Sequence, residues 1–388
     1  MSATESANIV IVGGGIQGLL LAFNLADRGQ KDIVVLDAGY WQGGASGRNG
    51  TLVRGGFSST EWTRFFEHSV DQWRDLSRRL GHNVMYTRRG YAIVAESERS
   101  SAVLDTALQT HRECGVSSER LSRPRMAQVL PAADQTRIVD MIHLADGGTA
   151  PHHAAMKGAL TTCRKKGVDL RYGTEVTDFE RQNGRISAVV CGDTRIDADL
   201  VVIAAGAHST DLATKAGVVL DAQPFRIEAM ASEPVRPMIG PAVALIDRLT
   251  YVHQTARGEI VGGSELAGES AKRNIISTEY VMPRYARHMV DMFPGIARMR
   301  ILRQWGGMLH PAPDGGPLLG AHPDLESLWF SAGWTYGIAG APGAADLLAK
   351  AIATGEIDER MRPFAVDRFR RGKPVMEASA VIDNASVG

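Results

Sequence analysis

Apolar positions along this chain follow two rhythms. Residues 8–12 (NIVIV) form an unbroken β-branched run, the pattern of a strand buried on both faces. Three glycines follow. Residues 16–29 then place Leu20, Leu21, Ala22, Leu25 and Ala26 at helical spacing, with Gly29 as a stop. Residues 32–36 (DIVVL) read as a second buried strand ending at Asp37, so the first forty residues spell strand–helix–strand and imply a parallel sheet. Further on, the spacing predicts helices over 61–80, 96–114, 151–166, 278–293 and 344–353. It predicts strands over 91–95, 168–172, 199–204 and 328–331. Residues 175–182 and 186–191 read as a hairpin joined at Asn183-Gly184. Residues 43–56 read as a glycine-rich loop.

From about 224 to 308 the texture changes to short alternating strands at 242–246, 249–253 and 259–262. This reads as a mixed sheet that rejoins the chain near 328–331. The expected fold class is α/β, or α+β taken whole: a Rossmann-like nucleotide-binding domain interleaved with a mixed-sheet substrate domain. The expected segments are 1–80, 145–222 and 309–388 for the first, and 81–144 and 223–308 for the second.

Composition narrows the partners. The 43 basic and 43 acidic side chains cancel, so nothing favours nucleic acid or a membrane surface. No apolar run approaches the roughly 18 residues of a spanning helix, and residues 1–7 do not read as a signal peptide. The three cysteines, Cys114, Cys163 and Cys191, are too scattered for a disulfide framework, a structural zinc site or an iron–sulfur site. They read as reduced thiols of a cytoplasmic protein. The 42 glycines suggest tight turns around a ligand.

The chemistry starts at Gly13-x-Gly15-x-x-Gly18. A lone motif of this kind is weak. Here it follows a strand, opens a helix at Ile16 and Gln17, and precedes an acid, Asp37, at the end of the next strand. Gly13 permits the turn, Gly15 lets backbone approach a pyrophosphate, and Gly18 allows close helix–strand packing. The helix N-terminus favours an anion, and Asp37, with Ala38 beside it, would accept from ribose hydroxyls. The fingerprint alone does not separate FAD from NAD. The next loop does more: Gly44, Ala45, Ser46, Arg48, Asn49, Gly50 and Thr51 are small or polar with one cation, suited to wrap a flavin pyrophosphate and approach the ring.

These residues, together with Gly147-Gly148-Thr149-Ala150, Ala204-Ala205-Gly206, Trp305-Gly306-Gly307, Asp314-Gly315-Gly316-Pro317 and Ala332-Gly333-Trp334 leading to Gly340, resemble the D-amino-acid oxidase-like flavoproteins. Within them the chain is similar to the β-subunit of heterotetrameric sarcosine oxidase and to opine or hydroxyproline dehydrogenase subunits. The resemblance implies oxidation of the C–N bond of a small secondary amine, N-alkyl amino acid, imino acid or opine by noncovalent FAD, in a catalytic subunit with partner subunits. It implies that Val176 backs the adenine, that Ala205 and Gly206 pass the pyrophosphate, and that Gly306, Gly333, Trp334, Tyr336, Gly337, Ile338 and Gly340 approach the flavin ring. His152 falls where that β-subunit carries a histidine bonded to a second flavin, FMN. The alternative use of His152 is a helix-start residue packed against core or solvent.

A cation is expected for the substrate carboxylate. Arg54 and Arg303 are both candidates, and a structural ion pair is the alternative for each. Tyr251 and His253 lie two apart on one strand, share a face, and either line the pocket or serve packing. Two departures bear on substrate and acceptor. No lysine stands in Glu259-Ile260-Val261 or in Gly337–Gly340, where related enzymes carry one for oxygen or for carboxylate. A self-sufficient glycine-oxidase-like enzyme making hydrogen peroxide and a noncatalytic flavin-binding subunit are the rival readings.

Overall fold

The computed structural model describes residues 3–264 and 275–379. Small parts of the expected segments 1–80, 223–308 and 309–388 lie outside the described residues. In chain order the elements are β1 (Ala3–Val12), α1 (Ile16–Asp27), β2 (Ile33–Asp37), β3 (Leu52–Val53), α2 (Thr60–Leu80), β4 (Tyr91–Ala95), α3 (Glu98–Cys114), β5 (Ser118–Arg120), α4 (Arg123–Val129), β6 (Asp140–Leu144), β7 (Gly148–Thr149), α5 (His152–Lys165), β8 (Asp169–Tyr172), β9 (Asp178–Gln182), β10 (Arg185–Cys191), β11 (Thr194–Ile203), α6 (Ser209–Lys215), β12 (Phe225–Pro234), β13 (Ala242–Leu245), β14 (Thr250–Gln254), β15 (Glu259–Ser264), α7 (Val281–Met292), β16 (Ile301–Leu309), β17 (Leu318–His322), β18 (Leu325–Ala332) and α8 (Gly337–Thr354).

The first sheet runs β17-β18-β11-β1-β2-β8, with β10 and β9 continuing from β11. Its centre is parallel: β1 pairs β11 and β2, β2 pairs β8, and β11 pairs β18. The unbroken apolar run in β1 is explained by cover on both faces. Ile9 and Ile11 enter a core built with α1, α2, α5 and α8, while Val10 and Val12 enter a second core with β9, β10 and α6. Asn183 and Gly184 take φ of 53° and 74°, the left-handed pair that a two-residue hairpin requires, and β9 and β10 pair antiparallel around them.

The second sheet runs β16-β12-β15-β14-β13-β4-β6-β5 and is mixed, with β13 and β4 parallel and its other pairs antiparallel. A two-stranded ribbon, β3 with β7, completes the set.

Several boundaries differ from expectation. The strand at 328–331 belongs to the first sheet, against β11, and does not close the mixed one. The helix expected at 344–353 begins at Gly337, seven residues earlier. Its Pro342 interrupts the internal ladder. The Ala339 carbonyl instead accepts from Ser69 Oγ and Trp73 Nε1 of α2, and Gly343 N donates to Ser69 Oγ. The loop at 43–56 contains a short helical turn at Ala45–Gly47 and β3. Strands β5 and β6 and helices α4 and α6 arise where no element was expected.

A buried ion pair ties the C-terminal region to this frame. Arg368 Nε and Nη2 donate to Asp314 at 2.7 and 2.6 Å, and the guanidinium also reaches the Pro317 and Gly316 carbonyls. Both side chains are essentially inaccessible. Removing one partner strands the other charge without water. Arg368→Met is therefore expected to destabilise the fold by about 3–5 kcal/mol. Urea unfolding would show this as a lower midpoint at unchanged slope, and a change below about 1 kcal/mol would contradict this account of the pair.

Candidate active site

The site begins where β1 meets α1. A Cβ on Gly18 would lie 1.9 Å from the Gly13 carbonyl oxygen, and one on Gly13 would lie 2.4 Å from the Ala204 oxygen. Gly13 also has φ 117°, which a side chain rarely tolerates. The turn is therefore pressed against the start of α1 and against Ala204-Ala205, as the Gly-x-Gly-x-x-Gly reading expects. Asp37 holds the turn from the next strand, accepting from Gly14 N at 2.7 Å and from Gly39 N at 2.8 Å. Ala38 is exposed beside it. The segment leading to Val176 runs past the same acid: Gly173 N and Thr174 N donate to the Gly39 and Asp37 carbonyls.

The loop after Gly43 folds back onto this turn. Ser46 Oγ accepts from Ile16 N at 2.9 Å, and Asn49 bridges the Ser46 carbonyl and Thr51 N. Gly44 and Ala45 stay exposed. Arg48 presents its carbonyl to Trp305 Nε1 at 2.9 Å, and Gly307 lies against the Arg48 backbone. Gly306 leaves room for the chain at Ile275.

From the other side comes the N-terminus of α8. Gln17, in the first turn of α1, donates to the Gly337 carbonyl at 2.8 Å and accepts from Ser331 Oγ. Neither α1 nor α8 is capped by the side chain of its own N-cap residue, and neither has an acid in its first turn. Two helix N-termini therefore converge, each favouring negative charge, with Ser46 Oγ accepting from the first N–H of α1. Gly333 has φ 71°, and Gly340 accommodates the Trp334 ring. Among the described residues, Trp41 Nε1, Gln42 Nε2 and Thr335 Oγ1 are buried without a hydrogen-bond partner. Each offers a donor to a ligand that carries acceptors.

The second sheet supplies the opposite wall. Tyr251 of β14 packs on Gly50, and His253 Nε2 lies 3.2 Å from Thr51 Oγ1, so both side chains face the loop as their spacing predicts. Burial pushes the His253 imidazole down to about 4, the backbone of Gln254 and Gly50 opposing it. Burial, aided by Tyr91, pushes the Tyr251 hydroxyl up. Both are neutral at ordinary pH.

The two candidate arginines separate. Arg303 is exposed and lies over the Trp305 ring, 5.8 Å from its centroid. Arg54 is 2% exposed, with its guanidinium 4.1 Å over Phe57 and within 6 Å of the Tyr91 and Tyr336 rings. Its Nη2 donates to the Ser379 carbonyl at 2.8 Å, while Nε and Nη1 have no partner among the described residues. His152 opens α5, its Nδ1 is buried without a hydrogen-bond partner among the described residues, and burial with the neighbouring His153 lowers it to about 4.

The family model described as DAO, FAD dependent oxidoreductase, matches residues 8–351. The chain belongs to this family. It is an FAD-dependent oxidoreductase, and the glycine cradle, the two helix N-termini and the orphaned donors are what such a cofactor requires. The chain is 30% identical over 374 residues to the sarcosine oxidase subunit beta of Rhizobium meliloti (strain 1021), covering 94% of this chain and 89% of that one. It is 26% identical to the glycine oxidase of Pseudomonas putida, covering 93% and 98%. Its fold is similar to the crystal structure of L-proline dehydrogenase from P. horikoshii, with TM-score 0.91 at 24% identity over 96% of this chain and 100% of that one.

Trp41, Gln42, Tyr91 and Thr335 were not picked out in the sequence. Gln42 and Thr335 flank recognised motifs, and that adjacency was the available signal. Tyr91 reaches Arg54 only through the fold.

Two outcomes follow from this geometry. Asp37→Ala should weaken FAD binding about 10- to 100-fold, the scale of hydrogen bonds to a charged group, with unchanged circular dichroism. Equilibrium dialysis against FAD reads this. Second, His111, His152 and His253 are each held near 4 by burial, against an ordinary 6.5. Above pH 6.5 they are neutral folded or unfolded. Between 6.5 and 4 the unfolded chain takes up protons that the folded one refuses, so stability falls as pH falls through that window. His253→Gln should remove up to about 3 kcal/mol of that loss between pH 7 and 4.5, seen in urea midpoints, and an unchanged slope would sink the assignment.

Proposed function

We propose that the chain oxidises the C–N bond of a small secondary amine or N-alkyl amino acid to an imine, which water then hydrolyses. The observation that carries this reading is Arg54: a buried cation, with two nitrogens lacking partners among the described residues, set beside the N-terminus of α8 through Tyr336. Sarcosine, glycine and 4-methylaminobutanoate, the compounds named in relatives of this chain, each pair an amine with a carboxylate. Arg54 would hold that carboxylate in surroundings of low polarity, where the attraction is stronger than in water.

Gly13, Gly15, Gly18, Asp37, Ser46, Ala205, Gly206 and the first turn of α8 would hold FAD. FAD, when bound, supplies a two-electron acceptor for the hydride beside the substrate nitrogen. Tyr251 and His253 stay neutral and add no charge to the wall. Desolvation there disfavours an ammonium and leaves the substrate amine unprotonated, the form with a free lone pair. Arg303, exposed on β16, is not assigned the carboxylate.

The similarity to sarcosine oxidase β-subunits supports a catalytic subunit within a heteromer, and His152, at the start of α5, would be its FMN contact at the subunit interface. FMN released from the purified complex would bear this out, and FAD as its sole flavin would contradict it.

The deciding experiment is an anaerobic absorbance spectrum of the FAD-loaded protein before and after N-methyl amino acids. Bleaching is expected, and Arg54→Met should raise KM for the bleaching substrate about 100-fold, as for loss of a buried charged hydrogen bond. A flavin band that no amine bleaches, alone or with partner subunits, overturns the reading. Hydrogen peroxide from the isolated chain would point instead to a self-sufficient oxidase.

A further inference from the structure

We infer that the C-terminal segment 375–379 is a latch that fixes Arg54 for the substrate carboxylate, with Glu377 as its positioning residue. This rests on the assignment of Arg54 given above and names what that assignment depends on.

Glu377 is 3% exposed, yet its carboxylate is densely solvated by protein. Oε1 accepts from Ser58 N at 2.9 Å, Ser58 Oγ at 2.5 Å, Ser379 N at 2.8 Å and Ser379 Oγ at 2.5 Å. Oε2 accepts from Ser59 N and Ser59 Oγ, both at 2.9 Å. Ser58 and Ser59 immediately precede α2, so the carboxylate also meets the positive end of a 21-residue helix. Ala378 N returns a hydrogen bond to Ser58 Oγ. Upstream, Val375 donates its N–H to Asp314 and accepts from Trp62 Nε1. The segment is thus anchored at both ends.

Its product is the position of one carbonyl. Ser379 O, placed by the two hydrogen bonds that Ser379 gives Glu377, accepts from Arg54 Nη2 at 2.8 Å. The division of charge is what makes this useful. The Glu377 carboxylate is absorbed by serine and backbone donors, while Arg54 receives a neutral carbonyl. Arg54 therefore keeps its positive charge, and it is held in one orientation before a ligand arrives. An arginine left to find that orientation on binding would give up rotamer entropy at that moment, so the latch lowers the cost of carboxylate capture.

The test uses FAD-loaded full-length protein and acetate as a carboxylate probe, titrated through the flavin absorbance spectrum. Arg54→Met marks the effect of losing the cation. Glu377→Ala should weaken acetate binding and raise KM for an N-methyl amino acid about 10- to 100-fold. Its kcat, its FAD content and KM for the matching N-methyl alkylamine should change less than about twofold. Glu377→Gln, which keeps the shape, should fall between, and it serves if Glu377→Ala does not fold. Equal losses for the acid and the alkylamine would reduce Glu377 to a structural role and overturn the inference. So would unchanged acetate affinity in FAD-replete variants, or acetate leaving the wild-type spectrum unmoved. A wild type that binds acetate through Arg54 and Glu377, yet oxidises no amine, would leave the latch standing and overturn the proposed reaction instead.

Discussion

The architecture hangs on backbone meeting backbone with no side chain between. Gly18 lies where a Cβ would sit 1.9 Å from the Gly13 oxygen, and Gly13 where one would sit 2.4 Å from the Ala204 oxygen. This double approach brings β1, the start of α1 and the end of β11 to one point. It places the N-terminus of α1 there with Asp37 alongside. Gln17, one residue before Gly18, then reaches Gly337 and sets the start of α8 against the start of α1. Any larger residue at Gly13 or Gly18 would push these elements apart, and the convergence of two helix N-termini would be lost with them.

What could be read from the sequence follows from how local each cause is. The strand–turn–helix of residues 8–29 was legible because its apolar rhythm, its glycines and its acid all lie within thirty residues. The hairpin at Asn183-Gly184 was legible because a two-residue turn states its own φ requirement. The start of α8 was not, because Gly337-Ile338-Ala339-Gly340-Ala341-Pro342-Gly343 carries three glycines and a proline, a loop composition by any local rule. That stretch is helical because Ser69 and Trp73 of α2 take over the hydrogen bonding that Pro342 disrupts, and because its glycines admit Trp334 and Ser69 at close range. Strand 328–331 could be recognised as a strand but not assigned to a sheet, since pairing partners are a tertiary fact. The two arginines looked alike in sequence, and burial separates them. The tie between Ser58 and Glu377 spans 319 residues and carries no periodic signal at all.

Charge in the candidate site is sorted with some economy. Tyr91, Tyr251 and His253 are titratable residues that burial keeps neutral. Glu377 is satisfied by hydroxyl and amide donors at the start of α2 and from Ser379, and the Asp314–Arg368 pair is completed by backbone groups of Gly316, Pro317 and Val375. Arg54 is thus a buried cation in aromatic company, held by a carbonyl. A lone guanidinium in such a place is costly unless something anionic completes it. The stacking on Phe57, Tyr91 and Tyr336 offsets part of that cost without neutralising the charge.

The two sheets meet the nucleotide-side loop differently, and this bears on how one fold can serve several substrates. The glycine turn meets the start of α1 and Ala204 through backbone atoms, which tolerate little change in shape. The β14 and β16 wall touches the loop through side chains, Tyr251 on Gly50, His253 on Thr51 and Trp305 on Arg48. Side chains on a strand can be exchanged without moving the strand, so that wall can change its surface while the backbone of the glycine turn stays in place. Because Arg54 stands on the loop between the two and is held by the Ser379 carbonyl, the carboxylate anchor proposed for it would be kept while the β14 and β16 wall is rebuilt.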